Sequence, residues 1–168
     1  MILLLVVILS GLALVPLLRG DPDGTAGSMI GSPAPALDAT DLDGRAWAIA
    51  DGAGRFIWVN VWATTCEPCR TEMPAMQALA EAYGDRLLIL GLDQGESREA
   101  VADFAERYRI TYPILLDPTL ANDRRWAGNG LPRHYFVDGA GIVVREILGE
   151  LPPDRMQALL QELIGPVS

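Results

Sequence analysis

The sequence predicts an α/β domain in which a mixed β-sheet has helices on both faces. From about residue 33 onward, strand-like and helix-like segments alternate, and such alternation implies strands connected through helices. Residues 56–62 and 87–92 are nearly continuous apolar runs, which is typical of strands buried on both faces. The 168 residues, half of them hydrophobic, suffice for one domain preceded by a leader.

The first twenty residues form the predicted leader. Residues 2–18 are apolar apart from Ser10, Gly11 and Pro16. As a helix this run would be about 25 Å long, slightly shorter than a typical hydrocarbon core. Its length favours a signal anchor over a cleaved signal peptide, although residues 24–26 offer a weak cleavage site. We expect a domain anchored on the extracytoplasmic face of a membrane, with secretion after cleavage as the alternative.

The remaining chain divides into a linker and one domain. Residues 21–32 are rich in Gly, Asp, Ser and Thr and are predicted to be flexible, and residues 33–168 form the domain. A hairpin over 37–49, with its turn at 41–44, opens the domain. The other elements follow from periodicity and turn signals: helices at 67–83 (with a kink at Pro74), 97–108 and 118–126 and from Pro152 onward, and strands at 112–116, 134–137 and 142–148.

Cys66-Glu67-Pro68-Cys69 contains both cysteines of the chain. The motif follows the apolar run 56–62 and begins a helix, where unpaired N–H groups and the helix dipole favour a thiolate. A structural disulfide is the weaker interpretation, because closing a loop of this size removes little chain entropy. A C-x-x-C motif beside a βαβ pattern instead predicts a redox-active pair.

Metal-binding and nucleic-acid-binding functions fit the sequence less well. A structural zinc site usually needs four ligands, and the chain offers the two cysteines and a single histidine, His134. A copper-binding protein that uses Cys66, Cys69 and His134 stays open as an alternative. The net charge of −9 argues against a nucleic-acid partner, which requires a basic face. We expect neither a metal ion nor an organic cofactor.

Four segments together resemble the TlpA/ResA/DsbE (CcmG-like) group of thioredoxin-like proteins. They are residues 59–74 around the cysteines, 91–97, 130–132 and 31–35, so the resemblance covers nearly all of the chain from about residue 29. It implies a thioredoxin-like fold and an exported or membrane-tethered reductase of disulfides in partner proteins, often apocytochrome c. It also implies a membrane electron donor of the CcdA/DsbD type.

The resemblance assigns roles to Pro132 and Glu72. Pro132 matches a cis-proline that packs beside the cysteines, and cis bonds in proteins occur almost only before proline. The Glu72 position is linked to proton handling at the cysteines, and a carboxylate there can act as acid or base. The plain interpretation of Glu72 is a charge that favours the first turn of a helix. Asn60 stands where other thioredoxins carry a buried acid, which makes Glu72 the better candidate.

The chain departs from the resemblance at three positions. Thr65 stands where most of the group has Trp, and Arg133 and His134 stand where it has small polar residues. His134 alternates with Phe136 along a strand, so we expect a packed or surface side chain. Arg133 would favour a thiolate if its charge pointed at the cysteines. Neither residue is assigned a catalytic role.

The order of the two cysteines predicts their roles. Cys66, at the exposed helix start, is the candidate nucleophile, and Cys69, one turn further, is the resolving thiol. Glu67 and Glu72 place negative charge near the pair, which disfavours a thiolate and so favours a reductant, whereas Arg70 and the helix dipole act in the opposite direction. A thiol oxidant or isomerase is the alternative within the same chemistry.

Overall fold

A computed structural model of the protein describes residues 28–126 and 129–167. The predicted leader, residues 1–20, and the linker up to residue 27 lie outside the described residues. Within the described part, no helix combines the length and the apolar character that crossing a membrane requires.

A seven-stranded mixed sheet forms the centre of the described structure, with strand order β2-β1-β5-β4-β3-β6-β7. The strands are β1 (Ala39–Asp41), β2 (Ala46–Trp47), β3 (Phe56–Trp62), β4 (Leu87–Asp93), β5 (Ile114–Leu116), β6 (Arg133–Val137) and β7 (Val143–Leu148). The central strands β3, β4 and β5 are parallel, and β6 and β7 continue the sheet in antiparallel pairing. Strands β3 and β4 are almost completely buried, which confirms the prediction from their apolar runs.

Helices cover both faces of this sheet, as the alternation predicted. They are α1 (Glu67–Tyr83), α2 (Arg98–Tyr108), α3 (Ala121–Arg125) and α4 (Pro153–Ile164). Side chains of α1, α2 and α4 pack with Trp58 and Trp62 on one face, whereas Trp126, which follows α3, packs with Val59 and Val61 on the other. Because side chains alternate along a strand, Asn60 lies on the face that α1 covers.

Several predicted boundaries differ from those observed, for local reasons. The helix predicted over 118–126 is confined to Ala121–Arg125, because Leu120 has a left-handed backbone (φ 57°) that a helix cannot include. Strand β5 starts after Pro113, which has no N–H to donate to a ladder. Ser97 caps α2 as predicted, since its hydroxyl accepts the N–H of Ala100 at 3.2 Å. Helix α1 runs as one element past Pro74.

The beginning of the described chain packs against the sheet. The N–H of Gly31 donates to the C=O of Val143 at 2.8 Å, and the N–H of Val143 donates to Ser32 at 3.0 Å. Residues 28–32, which the sequence placed in the flexible linker, are therefore attached to β7. Strands β1 and β2 pair antiparallel, and the chain then enters a short 3-10 turn at Ile49–Gly52.

Candidate active site

Cys66 and Cys69 form a disulfide at the start of α1, with their Cα atoms 5.3 Å apart. Cys66 caps the helix, and its sulfur accepts the backbone N–H of Cys69 at 3.3 Å. Cys66 is half-buried, whereas the side chain of Cys69 is 0% exposed. A partner protein can therefore reach the first sulfur but not the second.

Pro132 lies at the carboxyl-terminal end of β3, the edge of the sheet from which the cysteine loop emerges. The Leu131–Pro132 peptide bond is cis, as the resemblance implied. Strand β6 begins at the next residue, where Arg133 pairs with Val61 near the end of β3. The C=O of Pro132 also accepts the N–H of Gly149 at 2.9 Å, which ties the loop after β7 to this edge.

Glu72 is a buried residue, with 1% of its side chain exposed. It follows Cys69 by one helical turn, on the same face of α1. Its Oε1 accepts from Asn60 Nδ2 at 3.2 Å, and its Oε2 accepts the N–H of Leu151 at 3.2 Å. The interpretation of Glu72 as a first-turn charge is therefore wrong, because α1 begins at Glu67 and the Glu72 carboxyl group is buried and accepts hydrogen bonds from other parts of the chain.

His134 contacts this carboxyl group from the neighbouring strand. It is fully buried and pairs directly with Asn60 in the register of β3 and β6. Its Nε2 lies 3.2 Å from the C=O of Gly149 and 3.5 Å from Glu72 Oε2. Its Nδ1 lies 3.2 Å from Trp58 Nε1 and 3.3 Å from Asn60 Nδ2. The expectation of a packed histidine is confirmed, but the contact with Glu72 was missed.

A buried tyrosine borders the same carboxyl group. Burial raises the pKa of the Tyr112 phenol far above its ordinary value, and the charge of Glu72 acts in the same direction. Gly91 makes room for this ring, because a Cβ there would lie 3.3 Å from Tyr112 and 3.2 Å from Trp62 Nε1. The resemblance drew attention to residues 91–97 without indicating this packing.

A second acidic group holds the turn that precedes Cys66. Both carboxylate oxygens of Glu96 accept from Thr64, one from its hydroxyl at 2.6 Å and the other from its backbone N–H. The N–H of Glu96 in turn donates to Asp93 Oδ2 at 2.9 Å. Burial, together with the neighbouring Glu96 carboxylate, raises the pKa of Asp93 from 3.8 to about 7. Sequence reasoning did not identify either acid.

The two arginines near the motif are engaged with acidic partners. Arg70 forms an exposed ion pair with Glu67 at 3.1 Å, so each offsets the other's charge near Cys66. Arg133 pairs with Asp123 of α3 and donates to the C=O of Gly130 at 3.0 Å. Since this guanidinium group points at Asp123, the structure gives no support to a direct effect of Arg133 on the thiolate.

The copper alternative required His134 beside the cysteines. The structure places both of its ring nitrogens against Trp58, Asn60, Gly149 and Glu72 instead. Among residues 28–126 and 129–167, three or more Cys, His, Asp or Glu side chains nowhere converge in a way that could hold a metal ion.

Comparison with known proteins identifies the family. The model of the AhpC/TSA family matches residues 30–146, which is most of the chain. The chain belongs to the AhpC/TSA family. Proteins that resemble the chain include a thiol-disulfide oxidoreductase ResA of Bacillus cereus, which is 32% identical over 135 residues, 80% of this chain and 78% of the relative.

A further relative supports the chemistry of this AhpC/TSA-family protein, and a solved structure supports its fold. The thiol-disulfide oxidoreductase ResA of Bacillus thuringiensis (strain Al Hakam) is 30% identical over 161 residues, 95% of this chain and 93% of the relative. The crystal structure of a putative thiol:disulfide interchange protein DsbE from Chlorobium tepidum superposes with a TM-score of 0.74 at 21% identity, over 83% of this chain and 98% of that one. The protein is a thiol–disulfide oxidoreductase with a thioredoxin-like fold.

Proposed function

We propose that this protein is a membrane-anchored, extracytoplasmic reductase of disulfides in partner proteins, with apocytochrome c as a substrate. The observation that carries the proposal is the asymmetry of the cysteine pair. Cys66 is accessible at the helix start, whereas Cys69 is fully buried, one turn before the buried Glu72. Such an arrangement exposes one nucleophile and keeps the resolving thiol away from competing reactions.

The geometry supports a two-step reduction. The Cys66 thiolate attacks one sulfur of the partner disulfide, forming a mixed disulfide and releasing the other partner sulfur as a thiolate. Cys69 then loses its proton and attacks the Cys66 sulfur, which breaks the mixed disulfide and leaves the partner reduced. The protein ends with the Cys66–Cys69 disulfide seen in the structure. A membrane dithiol donor of the CcdA/DsbD type restores the two thiols.

The charges around the pair favour a reductant over an oxidant. Arg70 is paired with Glu67, which leaves Glu72 as a buried carboxyl group one turn from Cys69. A negative charge in a buried environment disfavours a second one nearby, so this site lacks the thiolate stabilisation that lets strong oxidants favour their reduced form. A less stable reduced form is a stronger donor of electrons.

The membrane and partner assignments have different support. The apolar run over residues 2–18 supports an anchor that places the domain outside the cytoplasm. Apocytochrome c follows from the resemblance to the TlpA/ResA/DsbE group. Membrane fractionation of the full chain, followed by protease treatment of intact cells or spheroplasts, tests the anchor: a soluble or protease-protected cytoplasmic domain contradicts it.

Exchange of each cysteine for serine tests the roles of the two sulfurs. We expect Cys66→Ser to abolish reduction of apocytochrome c or insulin disulfides, because the accessible nucleophile is lost. We expect Cys69→Ser to accumulate mixed disulfides on Cys66, visible on non-reducing gels and removed by dithiothreitol. Exchange of the exposed Thr65 for serine is the matched control and should keep activity. Full activity of Cys66→Ser would show that the assignment is wrong.

The reduction potential separates the reductase from a thiol oxidant. Equilibration of the wild-type protein with dithiothreitol or glutathione buffers should give a potential well below that of strong oxidants, which lie near about −120 mV. A value near that figure would overturn the reductase assignment and favour an oxidant. The wild-type potential is also the baseline against which variants of the site are compared.

A further inference from the structure

We propose that His134 is a positioning residue for Glu72: a neutral imidazole whose Nε2–H holds the carboxylate that receives the proton of Cys69. The inference rests on the proposed function, because Cys69 must lose a proton before it attacks the mixed disulfide. That proton moves from the Cys69 sulfur to Glu72, while the sulfur electron pair forms the bond to Cys66. His134 touches neither sulfur in this scheme and acts only through Glu72.

The hydrogen bonds around His134 determine its protonation state. Trp58 Nε1 lies 3.2 Å from Nδ1, and an indole nitrogen is only ever a donor. Asn60 Nδ2, a second donor, lies 3.3 Å from the same atom. Nδ1 must therefore present its lone pair, and the ring proton of a neutral imidazole belongs on Nε2.

The Nε2–H then faces two acceptors. The C=O of Gly149 lies 3.2 Å away, and Glu72 Oε2 lies 3.5 Å away. Since Nδ1 is occupied by donors, the contact with Glu72 is that of a neutral N–H with a carboxylate and not that of an ion pair. A proton that leaves Cys69 consequently stops at Glu72, because His134 has no free lone pair to accept it.

The groups facing Glu72 come from several elements, and His134 connects them. Asn60 of β3 and the N–H of Leu151 after β7 donate to its two oxygens, and Tyr112 borders it from the segment before β5. Through Gly149, whose own N–H donates to Pro132, the imidazole also ties the carboxyl group to the edge that carries the cis-proline. The N–H groups of Asn60 and Leu151 thus hold the two oxygens of Glu72 in place, next to the imidazole.

The test is the reduction potential of the Cys66–Cys69 pair measured as a function of pH. If Glu72 accepts a proton, the curve has an inflection at the pH where it does so. Glu72→Gln should lack this inflection, which assigns it to Glu72. His134→Leu removes the N–H and should move the inflection to higher pH, by a change of about threefold or more in proton affinity. His134→Gln, whose amide N–H can replace Nε2–H, should restore the wild-type position.

The matched control is Phe136→Leu. Phe136 lies two residues further on the same face of β6 and packs on Trp58, with ring centroids 4.9 Å apart. This variant loses core packing but keeps His134 and Glu72, so the inflection should stay in place. The inference is overturned if His134→Leu leaves the inflection at its wild-type pH. It is also overturned if His134→Leu changes the potential as much in the Glu72→Gln variant as in the wild type. A wild-type curve without an inflection also overturns the inference. If the wild-type protein still reduces disulfides in that case, the proposed function stands.

A second measurement needs no variant. His134 is the single histidine of the chain, so an imidazole labelled with ¹⁵N gives one unambiguous set of signals. The oxidised wild-type protein at neutral pH should show the Nε2–H tautomer with an unprotonated Nδ1. An Nδ1–H tautomer would contradict the inference, because the donors Trp58 and Asn60 would then face a proton.

Discussion

Glu72 and Asp93 are two buried carboxyl groups, one on the helix that begins at the cysteine motif and one beside the strand that precedes it. Glu72 follows Cys69 by one turn, whereas Asp93 pairs with Trp62 at the end of β3, beside the turn that leads to Cys66. Their side chains are 1% and 0% exposed, so burial alone does not distinguish them. What distinguishes them is the set of groups that surrounds each carboxyl group.

Glu72 is surrounded by donors, and Asp93 has a second acid as its neighbour. Asn60 and Leu151 donate N–H groups to Glu72, and His134 Nε2 lies 3.5 Å from one of its oxygens. Asp93 accepts the N–H of Glu96, and burial together with the neighbouring Glu96 carboxylate raises its pKa to about 7. The two carboxyl groups are equally buried, so the difference between them lies in their neighbours: hydrogen-bond donors around Glu72 and a second acid beside Asp93.

The largest effect that this comparison predicts is on the stability of Glu72→Leu. Removing the carboxyl group leaves the buried donors of Asn60 and Leu151 without an acceptor, at a cost of about 3 kcal/mol or more in the free energy of unfolding. Glu72→Gln keeps an acceptor and should lose less. Urea unfolding of the disulfide form measures both, with the exposed Glu81→Gln on the same helix as control. If Glu72→Leu is as stable as the wild type, the hydrogen bonds of Glu72 with Asn60 and Leu151 do not contribute to stability as described.

Asp93→Asn addresses the other side of the comparison, through pH. Because the pKa of Asp93 rises from 3.8 to about 7 on folding, the native state binds more protons than the unfolded state between those values. The contribution of Asp93 is therefore fully present below about pH 4 and is lost as the pH rises through about 7. The loss is on the order of a few kcal/mol.

Urea unfolding from about pH 4 to about pH 8 measures this dependence. The wild-type protein should lose stability over that range, and Asp93→Asn, which does not ionise, should show a flatter curve. A wild-type curve as flat as that of Asp93→Asn would show that Asp93 ionises as readily in the folded state as in the unfolded one.

The parts of the structure that could be predicted from the sequence depend on local signals. The cysteine motif lies between an apolar run and a helix, so its position at a strand–helix junction needs no knowledge of tertiary contacts. The same holds for β3 and β4, because their continuous apolar runs predict buried strands without knowledge of the strands they pair with. It also holds for the Ser97 cap of α2. The cis bond before Pro132 required the resemblance, because nothing in its neighbours indicates it.

The contacts of Glu72 could not be predicted, because they depend on register. His134 meets Glu72 only because β6 pairs antiparallel with β3 and sets Asn60 opposite His134, at a sequence separation of 74. A slip of one residue would turn Arg133 toward α1 and His134 away from it. Glu96 and Thr64 likewise come together from different crossovers, 32 residues apart.

The smallest predicted effect, and the sharpest test of the comparison, is that of Glu96→Gln. The amide oxygen can still accept one of the two Thr64 donors, but the bond to the second oxygen of the carboxylate is lost, so the free energy of unfolding should fall by about 1 kcal/mol. The charge beside Asp93 is gone, however, so the pH at which stability is lost should move from about 7 toward 3.8. Glu99→Gln removes an exposed charge from the first turn of α2 and should leave that pH unchanged. If both variants shift that pH equally, the shift comes from the net charge of the protein. Glu96 would then not be the neighbour that makes Asp93 differ from Glu72.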